Sequence, residues 1–140
     1  MNELELAIRE KVHSDVSTLA KEMDKSTMSL LNKKVIYIAG AYRADTEWGI
    51  FCNIRKAEKK ALELWRQGWV VLCPHKNTEH FQGACDNRVW LDGCLEFVRR
   101  SDAIYMLNNW TTSEGSKEEL KLAKELGLEI YFEEFLIGYA

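Results

Sequence analysis

The chain has 140 residues, of which 46% are hydrophobic, 29% charged and 11% aromatic, a composition that excludes wholesale disorder and predicts one folded domain with its own core. Its 19 basic and 22 acidic residues give a formal net charge of −3, which disfavours a surface that binds nucleic acid through its phosphates. No apolar run reaches the ~18 residues of a membrane helix, and the charged N-terminus lacks the apolar core of a signal peptide. We therefore expect a cytoplasmic protein with no membrane partner and with reduced cysteines.

The first 33 residues differ in composition and pattern from the rest of the chain. They are polar and helix-prone and contain no strand-like run, so we assign residues 1–33 to a helical appendage and residues 34–140 to an α/β domain. Residues 19–30 weakly resemble a DNA-binding helix-turn-helix, but Asp24 replaces the turn glycine and no basic cluster marks a recognition helix. Packing on the domain or on a second subunit is thus favoured over DNA binding, which stays as the alternative.

The remainder alternates short β-rich runs with helical patterns. Four runs are rich in β-branched and aromatic residues, as in strands buried on both faces, and they lie at 35–40, 69–73, 103–107 and 129–132. Apolar residues recur at helical spacing between them, over 50–65, 89–98 and 120–126. Gly68 and Gly127 follow the first and third patterns as C-caps. Strands that alternate with helices pair in parallel, so we predict a three-layer α/β sandwich with a small parallel sheet, Rossmann- or flavodoxin-like.

This topology also predicts where a ligand binds. In open parallel sheets, ligands bind outside the carboxyl ends of the strands, where the loops 40–47, 74–87 and 108–117 must lie. Asp102 precedes the third strand and therefore lies at the opposite edge, where we expect a structural role.

The first loop continues the first strand as AGAYRAD, residues 39–45. A glycine at a strand end lets the backbone approach a ligand closely, and Arg43 offers a fork of donors to an anion. A tight turn with a solvated arginine explains the same residues equally well.

The second loop, read with the residue before it as CPHKNTEHFQGACD (73–86), contains two cysteines and two histidines, namely Cys73, His75, His80 and Cys85. Their spacing, C-x-H-x4-H-x4-C, matches none of the common zinc patterns. We therefore expect no metal here, and a pocket loop in which His75 or Asn77 meets a base or a sugar.

The third loop leads into a helix through Ser113, Gly115 and Ser116. The free N–H groups and the dipole of a helix start favour a phosphate or carboxylate. Glu119 follows one turn later, and a carboxylate in that position can attack the anomeric carbon of a sugar and carry the glycosyl group. Ser116 and Glu119 also form an S-x-x-E capping box, which local sequence alone favours.

Taken together, residues 35–132 resemble the nucleoside 2-deoxyribosyltransferase-like family, in particular small bacterial and phage members related to nucleoside 5′-monophosphate N-glycosidases. The matching pieces occur in order as IYIAGAYR, CPHKNT, SDAIYML and W-x-x-S-x-G-x-x-x-E-L-x-x-A. The last motif is the most specific of the four.

The resemblance implies a role for individual residues. It makes Glu119 the nucleophile and Ser113 a phosphate ligand, and it assigns the sugar or the 5′-phosphate to Gly40, Ala41, Tyr42 and Arg43. Where the family commonly carries a sugar-binding aspartate, this chain has Cys94. Asp92 is the alternative catalytic carboxylate, although residues two apart point to different faces of a helix.

These residues lead to two expectations about function. The first is an enzyme that cleaves or transfers the N-glycosidic bond of a nucleoside or nucleoside 5′-monophosphate through a glycosyl-glutamate. It would need no metal or organic cofactor and, as the resemblance implies, would form a homo-oligomer. The alternative is a catalytically weak module that binds or senses a nucleotide, with or without a DNA-binding N-terminal segment.

Overall fold

The computed structural model describes residues 2–22 and 24–134. The chain forms two compact units, residues 1–33 and residues 34–140. No helix in the described part of the chain is long and apolar enough to cross a membrane.

The first unit is helical, as predicted, and consists of α1 (Glu3–Glu22) and α2 (Lys25–Leu31). Asp24, the residue in place of the turn glycine, is the N-cap of α2. Its carboxylate accepts a hydrogen bond of 2.8 Å from the backbone N–H of Thr27, and this bond lowers the pKa of Asp24. Met23, within the helix-turn-helix-like stretch, lies outside the described residues.

The second unit has the predicted alternation of strands and helices. Its elements are β1 (Val35–Ala39), α3 (Glu47–Arg66), β2 (Val70–Leu72), α4 (Pro74–Asn77), α5 (Asn87–Arg99), β3 (Ala103–Met106), a 3₁₀ helix (Trp110–Thr112), α6 (Glu114–Leu126) and β4 (Glu129–Phe132). The four strands form one parallel sheet in the order β2-β1-β3-β4. The predicted α/β fold is therefore confirmed, and the short helix α4 and the 3₁₀ helix are additions within the predicted loops.

Helices cover both faces of this sheet. Side chains of a strand alternate between its faces, so Ile36 and Ile38 of β1 pack with α3, whereas Tyr37 and Ala39 face the other side. That other side is closed by α5 and α6, which bring Val98, Leu120 and Ala123 into the core. Tyr37 thereby points toward the layer that carries the third-loop motif.

Gly127 is the C-cap of α6, as predicted, whereas Gln67 is the C-cap of α3 and the predicted Gly68 comes one residue later. Gly68 follows α3 with φ +98°, and Gly127 ends α6 with φ +71°. These are left-handed conformations that glycine adopts without steric cost, and they turn the chain from a helix into the next strand.

Candidate active site

A cavity of about 460 Å³ lies at the carboxyl end of the sheet and is lined by residues of all three predicted loops. Residues of β1, α5 and α6 complete its wall. Cavities of roughly 300–1,000 Å³ are typical of small-molecule sites, so this one has room for a ligand of nucleotide size.

The most unusual side chain in the cavity is Glu119. It lies on α6, is only 6% exposed and lines the cavity. The hydroxyl of Tyr37 donates a hydrogen bond to its Oε2. Burial raises the pKa of Glu119 to about 7, although the Tyr37 hydrogen bond acts in the opposite direction. This carboxyl group therefore titrates near neutral pH, whereas an ordinary glutamate is fully ionised there.

Tyr37 is a candidate site residue that the sequence did not predict. It is 1% exposed in the middle of β1 and lines the cavity, and its hydroxyl bonds to Glu119. Burial and the nearby Glu119 raise its pKa well above the ordinary value, so the hydroxyl keeps its proton and acts as a donor. The signal in the sequence was a tyrosine in an otherwise apolar strand, because a buried tyrosine hydroxyl usually needs a partner.

Cys94 lies on α5 and lines the same cavity. Burial raises the pKa of its thiol, while a hydrogen bond with Tyr37 lowers it, and burial has the larger effect. A neutral thiol thus lies beside the Tyr37–Glu119 pair.

Asp92, the other predicted catalytic residue, is not brought into the cavity. It is exposed on α5, and its carboxylate lies 2.7 Å from Nε of Arg88. Because Asp92 and Cys94 are two residues apart on one helix, they point to different faces. The face that turns toward Glu119 carries the thiol.

The turn after β1 supplies Gly40, Ala41, Tyr42 and Arg43, all four of which line the cavity. A Cβ atom on Gly40 would lie only 2.6 Å from Cδ1 of Leu107. Glycine is therefore required here, because any side chain would push the turn away from the segment that follows β3.

Side chains from three other segments hold this turn in place. Asn109, after β3, accepts a hydrogen bond of 3.0 Å from the Ala41 backbone N–H. Asn53 of α3 donates to the carbonyl oxygens of Tyr42 and Arg43, at 3.1 and 3.2 Å. The Arg43 side chain is exposed and has no acidic partner within 4.0 Å among residues 2–22 and 24–134. A rigid backbone thus presents an unpaired guanidinium at the cavity.

His75 of α4 is the third support of the turn. It is 4% exposed and lines the cavity, and burial lowers its pKa, so the ring is neutral at pH 7. Its Nε2 lies 3.1 Å from the Ala41 carbonyl oxygen, which can only accept, so Nε2 carries the proton. Asn77, predicted as an alternative contact, is exposed and is not among the residues that line the cavity.

The start of α6 differs from the predicted capping box. Ser113 is the N-cap, and its Oγ accepts a hydrogen bond of 3.1 Å from the Ser116 backbone N–H. Ser116 lies inside the helix, where its hydroxyl is buried without a partner, and Glu119 bonds to Tyr37 instead of the helix start. The capping-box interpretation of Ser116 and Glu119 is therefore wrong. Ser113 and Gly115 line the cavity, whereas Ser116 does not.

The cysteines and histidines of the second loop do not come together. Cys73 and His75 are buried, whereas His80 and Cys85 are exposed. In the described part of the chain, no three His, Cys, Asp or Glu side chains are grouped so that they could hold a metal ion.

Comparison with models of protein families identifies a family for this chain. Residues 34–132 match the family described as "Domain of unknown function (DUF4406)". No curated protein matches the chain. The matched range contains every residue that lines the cavity.

Proposed function

We propose that the α/β unit cleaves or transfers the N-glycosidic bond of a nucleoside or nucleoside 5′-monophosphate. The chain belongs to the family DUF4406, which is described as a domain of unknown function. The observation that carries the proposal is the buried Glu119 carboxyl group, which lines a cavity of nucleotide size and is held by the Tyr37 hydroxyl. The resemblance to nucleoside 2-deoxyribosyltransferase-like proteins, which assigns the nucleophile to this glutamate, supports the same reaction.

The reaction takes place in two steps at the anomeric carbon C1′. An ionised Glu119 oxygen attacks C1′ while the bond from C1′ to the base breaks, and its electron pair leaves with the base through an oxocarbenium-like transition state. Water or a second base then attacks C1′ of the glycosyl ester and restores the carboxylate. The same carboxylate is the nucleophile in the first step and the leaving group in the second.

Tyr37 prepares Glu119 for this chemistry. Its hydrogen bond holds Oε2, and it favours the ionised form of the carboxyl group that the attack requires. Because burial raises the pKa of Glu119 to about 7, the rate rises as the pH increases through neutrality. This acid limb belongs to the free enzyme and is measured as kcat/KM.

The position of Arg43 supports a substrate that carries an anionic group. Its guanidinium lies on the turn that Asn53, His75 and Asn109 hold rigid. The start of α6, with Ser113 and Gly115, adds backbone N–H groups and the positive end of a helix dipole to the same cavity. A 5′-phosphate fits this combination of a guanidinium and a helix start.

Base release tests the proposal directly. The full chain is incubated with nucleosides and nucleoside 5′-monophosphates, and the free base is measured by chromatography. Glu119→Gln keeps the size and the hydrogen-bond acceptor but removes the nucleophile, so we expect turnover to fall by roughly a thousandfold or more. The matched control is Glu125→Gln, on an exposed position of the same helix outside the cavity. Near-normal turnover of Glu119→Gln would exclude Glu119 as the nucleophile.

A second candidate function is a nucleotide-binding module with little or no turnover. The specific observation in its favour is that Cys94 supplies a neutral thiol beside Glu119, while Asp92 pairs with Arg88 outside the cavity. Calorimetry separates the two functions, because the module would bind a nucleoside 5′-monophosphate without releasing its base.

We also propose that the chain forms a homo-oligomer. Helix α3 leaves large apolar side chains exposed, among them Trp48, Phe51, Leu62 and Trp65. The rings of Trp48 and Phe51 stack on each other, and contiguous exposed apolar side chains are typical of a protein–protein interface. Light scattering of the purified chain measures its mass, and a monomer at micromolar concentration would contradict this proposal.

A further inference from the structure

Glu119 shares the cavity with three other groups that are neutral at pH 7, and with the guanidinium groups of Arg43 and Arg88. The Tyr37 hydroxyl and the Cys94 thiol both keep their protons, because burial raises their pKa values. The His75 ring stays unprotonated, because burial lowers its pKa. Glu119 is thus the one group among them that changes charge near neutral pH.

These groups are poor proton donors to a departing base. The Tyr37 hydroxyl already donates its hydrogen bond to Glu119, and the His75 N–H already donates to the Ala41 carbonyl oxygen. Besides Glu119, the described residues that line the cavity include one carboxyl group, Glu114, whose side chain is 88% exposed and pairs with Lys117. A purine or pyrimidine leaves with a negative charge on its ring unless a proton is supplied, so this cavity favours a base that needs none.

We propose that the substrate class of this site is the N-ribosyl pyridinium, in which the ring nitrogen bonded to C1′ carries a positive charge. This inference rests on the proposed function and names the substrate on which it acts. The class includes nicotinamide riboside and its 5′-monophosphate, and both serve here as probes.

The charge balance of the step follows from the chemistry of this ring. A Glu119 oxygen forms a bond to C1′, and the bond from C1′ to the ring nitrogen breaks with its electron pair going to the nitrogen. The cationic ring thereby leaves as a neutral pyridine, and no proton moves. Water then attacks C1′ of the ester, which gives ribose, the Glu119 carboxylate and one proton released to solvent.

A cationic ring also activates Glu119 on binding. A positive charge nearby favours the ionised form of a carboxyl group, so the bound substrate opposes the effect of burial and produces the nucleophile it needs. A neutral nucleoside has no such effect. The half-buried rings of Tyr42 and Trp90 line the same cavity, and aromatic faces attract organic cations.

The test compares leaving groups on the unmodified full chain. Nicotinamide riboside, inosine, adenosine, uridine and the 5′-monophosphate of each are incubated separately with the protein at pH 7.5, and the free base is quantified by chromatography. We expect kcat/KM for nicotinamide riboside to exceed that for each neutral nucleoside by at least ~100-fold, since a missing general acid costs roughly 10²–10⁴ in rate. Comparable or faster cleavage of a neutral nucleoside would overturn this inference and leave the proposed function intact. Release of base from none of the four substrates or their 5′-monophosphates would overturn both.

A variant at Cys94 tests whether the lack of a proton donor causes this substrate preference. Cys94→Asp places a carboxyl group beside Glu119, and we expect the ratio of inosine to nicotinamide riboside cleavage to rise at least ~10-fold. Cys94→Ser is the control of similar size without an acid, and it should leave this ratio low. An equal ratio in both variants, with both shown to be folded by circular dichroism, would exclude the lack of a proton donor as the cause.

Discussion

The two ends of the parallel sheet use carboxyl groups in opposite ways. At the amino end, Asp102 is exposed and its carboxylate accepts a hydrogen bond of 2.7 Å from the Val35 backbone N–H. Nearby, Glu129 lies 2.8 Å from the ammonium of Lys34. At the carboxyl end, Glu119 is buried and its partner is a neutral hydroxyl. One end of the sheet therefore uses carboxylates to hold the strands, and the other end buries a carboxyl group that has no charged partner.

The pKa values record this difference. The hydrogen bond from Lys34 lowers the pKa of Glu129, whereas burial raises the pKa of Glu119 to about 7. A group that is buried without a charged partner lowers the stability of the fold when it ionises. The Glu119 environment is thus a feature that stability alone does not explain, and it points to chemistry.

The largest stability effect that we expect is at Glu119 and depends on pH. Its pKa rises from 4.5 to about 7 on folding, so the folded state binds the proton more tightly. The free energy of unfolding therefore falls as the pH rises from below 4.5 to above 7, by roughly 3 kcal/mol at 1.36 kcal/mol per pKa unit. Glu119→Gln does not titrate, so its stability relative to the native chain should increase by this amount between pH 4.5 and pH 8.

Urea unfolding at several pH values measures this difference, and Glu129→Gln is the control from the other end of the sheet. Because the pKa of Glu129 is lowered, its ion pair with Lys34 stabilises the fold above the ordinary glutamate pKa and is lost as the pH falls. Relative to the native chain, Glu119→Gln should therefore gain stability as the pH rises from 4.5 to 8, whereas Glu129→Gln should change little over that range and regain stability only as the pH falls below 4.5. Parallel slopes would mean that Glu119 is not destabilised by burial.

The next largest effect is expected on ligand binding, and it compares one cation from each end of the sheet, Arg43 and Lys34. Arg43→Ala should weaken binding of a nucleoside 5′-monophosphate by roughly 10- to 100-fold, which corresponds to about 1.5–3 kcal/mol for a hydrogen bond to a charged group. Binding of the matching nucleoside should change much less. Lys34→Ala, which removes a cation already paired with Glu129, should affect neither ligand. Calorimetry measures all four values, and equal losses for both ligands with Arg43→Ala would exclude a phosphate contact.

Periodicity was enough to predict the layers of the fold, because buried parallel strands and amphipathic helices each have their own spacing. The carboxyl-end loops followed from topology alone, and the cavity is indeed lined by Gly40, Ser113 and their neighbours. Asp102 was also correctly expected at the opposite edge, where it binds Val35. These features depend on local pattern and on rules of chain connection.

The details of the site required three-dimensional contacts. In the sequence, Tyr37 has the same apolar neighbours as any core strand residue, and its partner Glu119 is 82 positions away. Ser113 and Ser116 both fit a helix start, and only the backbone geometry identifies Ser113 as the cap. Asp92 and Cys94 lie at different angles around the α5 axis. Which of them faces the cavity depends on the rotation of the helix, and the sequence alone does not determine that rotation.

A smaller effect is expected at Tyr37. Its hydrogen bond favours the ionised form of Glu119, so Tyr37→Phe should raise the pKa of Glu119 further. We expect the acid limb of the kcat/KM profile for base release to move up by about one pH unit, which corresponds to about 1.4 kcal/mol. A purely structural role for Tyr37 would lower the rate equally at every pH, and the midpoint would then stay in place.

The smallest effect is expected at the amino end, where Asp102 satisfies the Val35 N–H at the start of β1. Asp102→Ala removes this acceptor, and because the site is exposed, water replaces most of the lost bond. We expect the free energy of unfolding to fall by about 1 kcal/mol or less, with no change in base release. Asp102→Asn retains a carbonyl oxygen at the same place and should lose less stability than the alanine variant. If either variant altered the pH profile of base release, the two ends of the sheet would be coupled, and the separation between a structural and a reactive end would be incorrect.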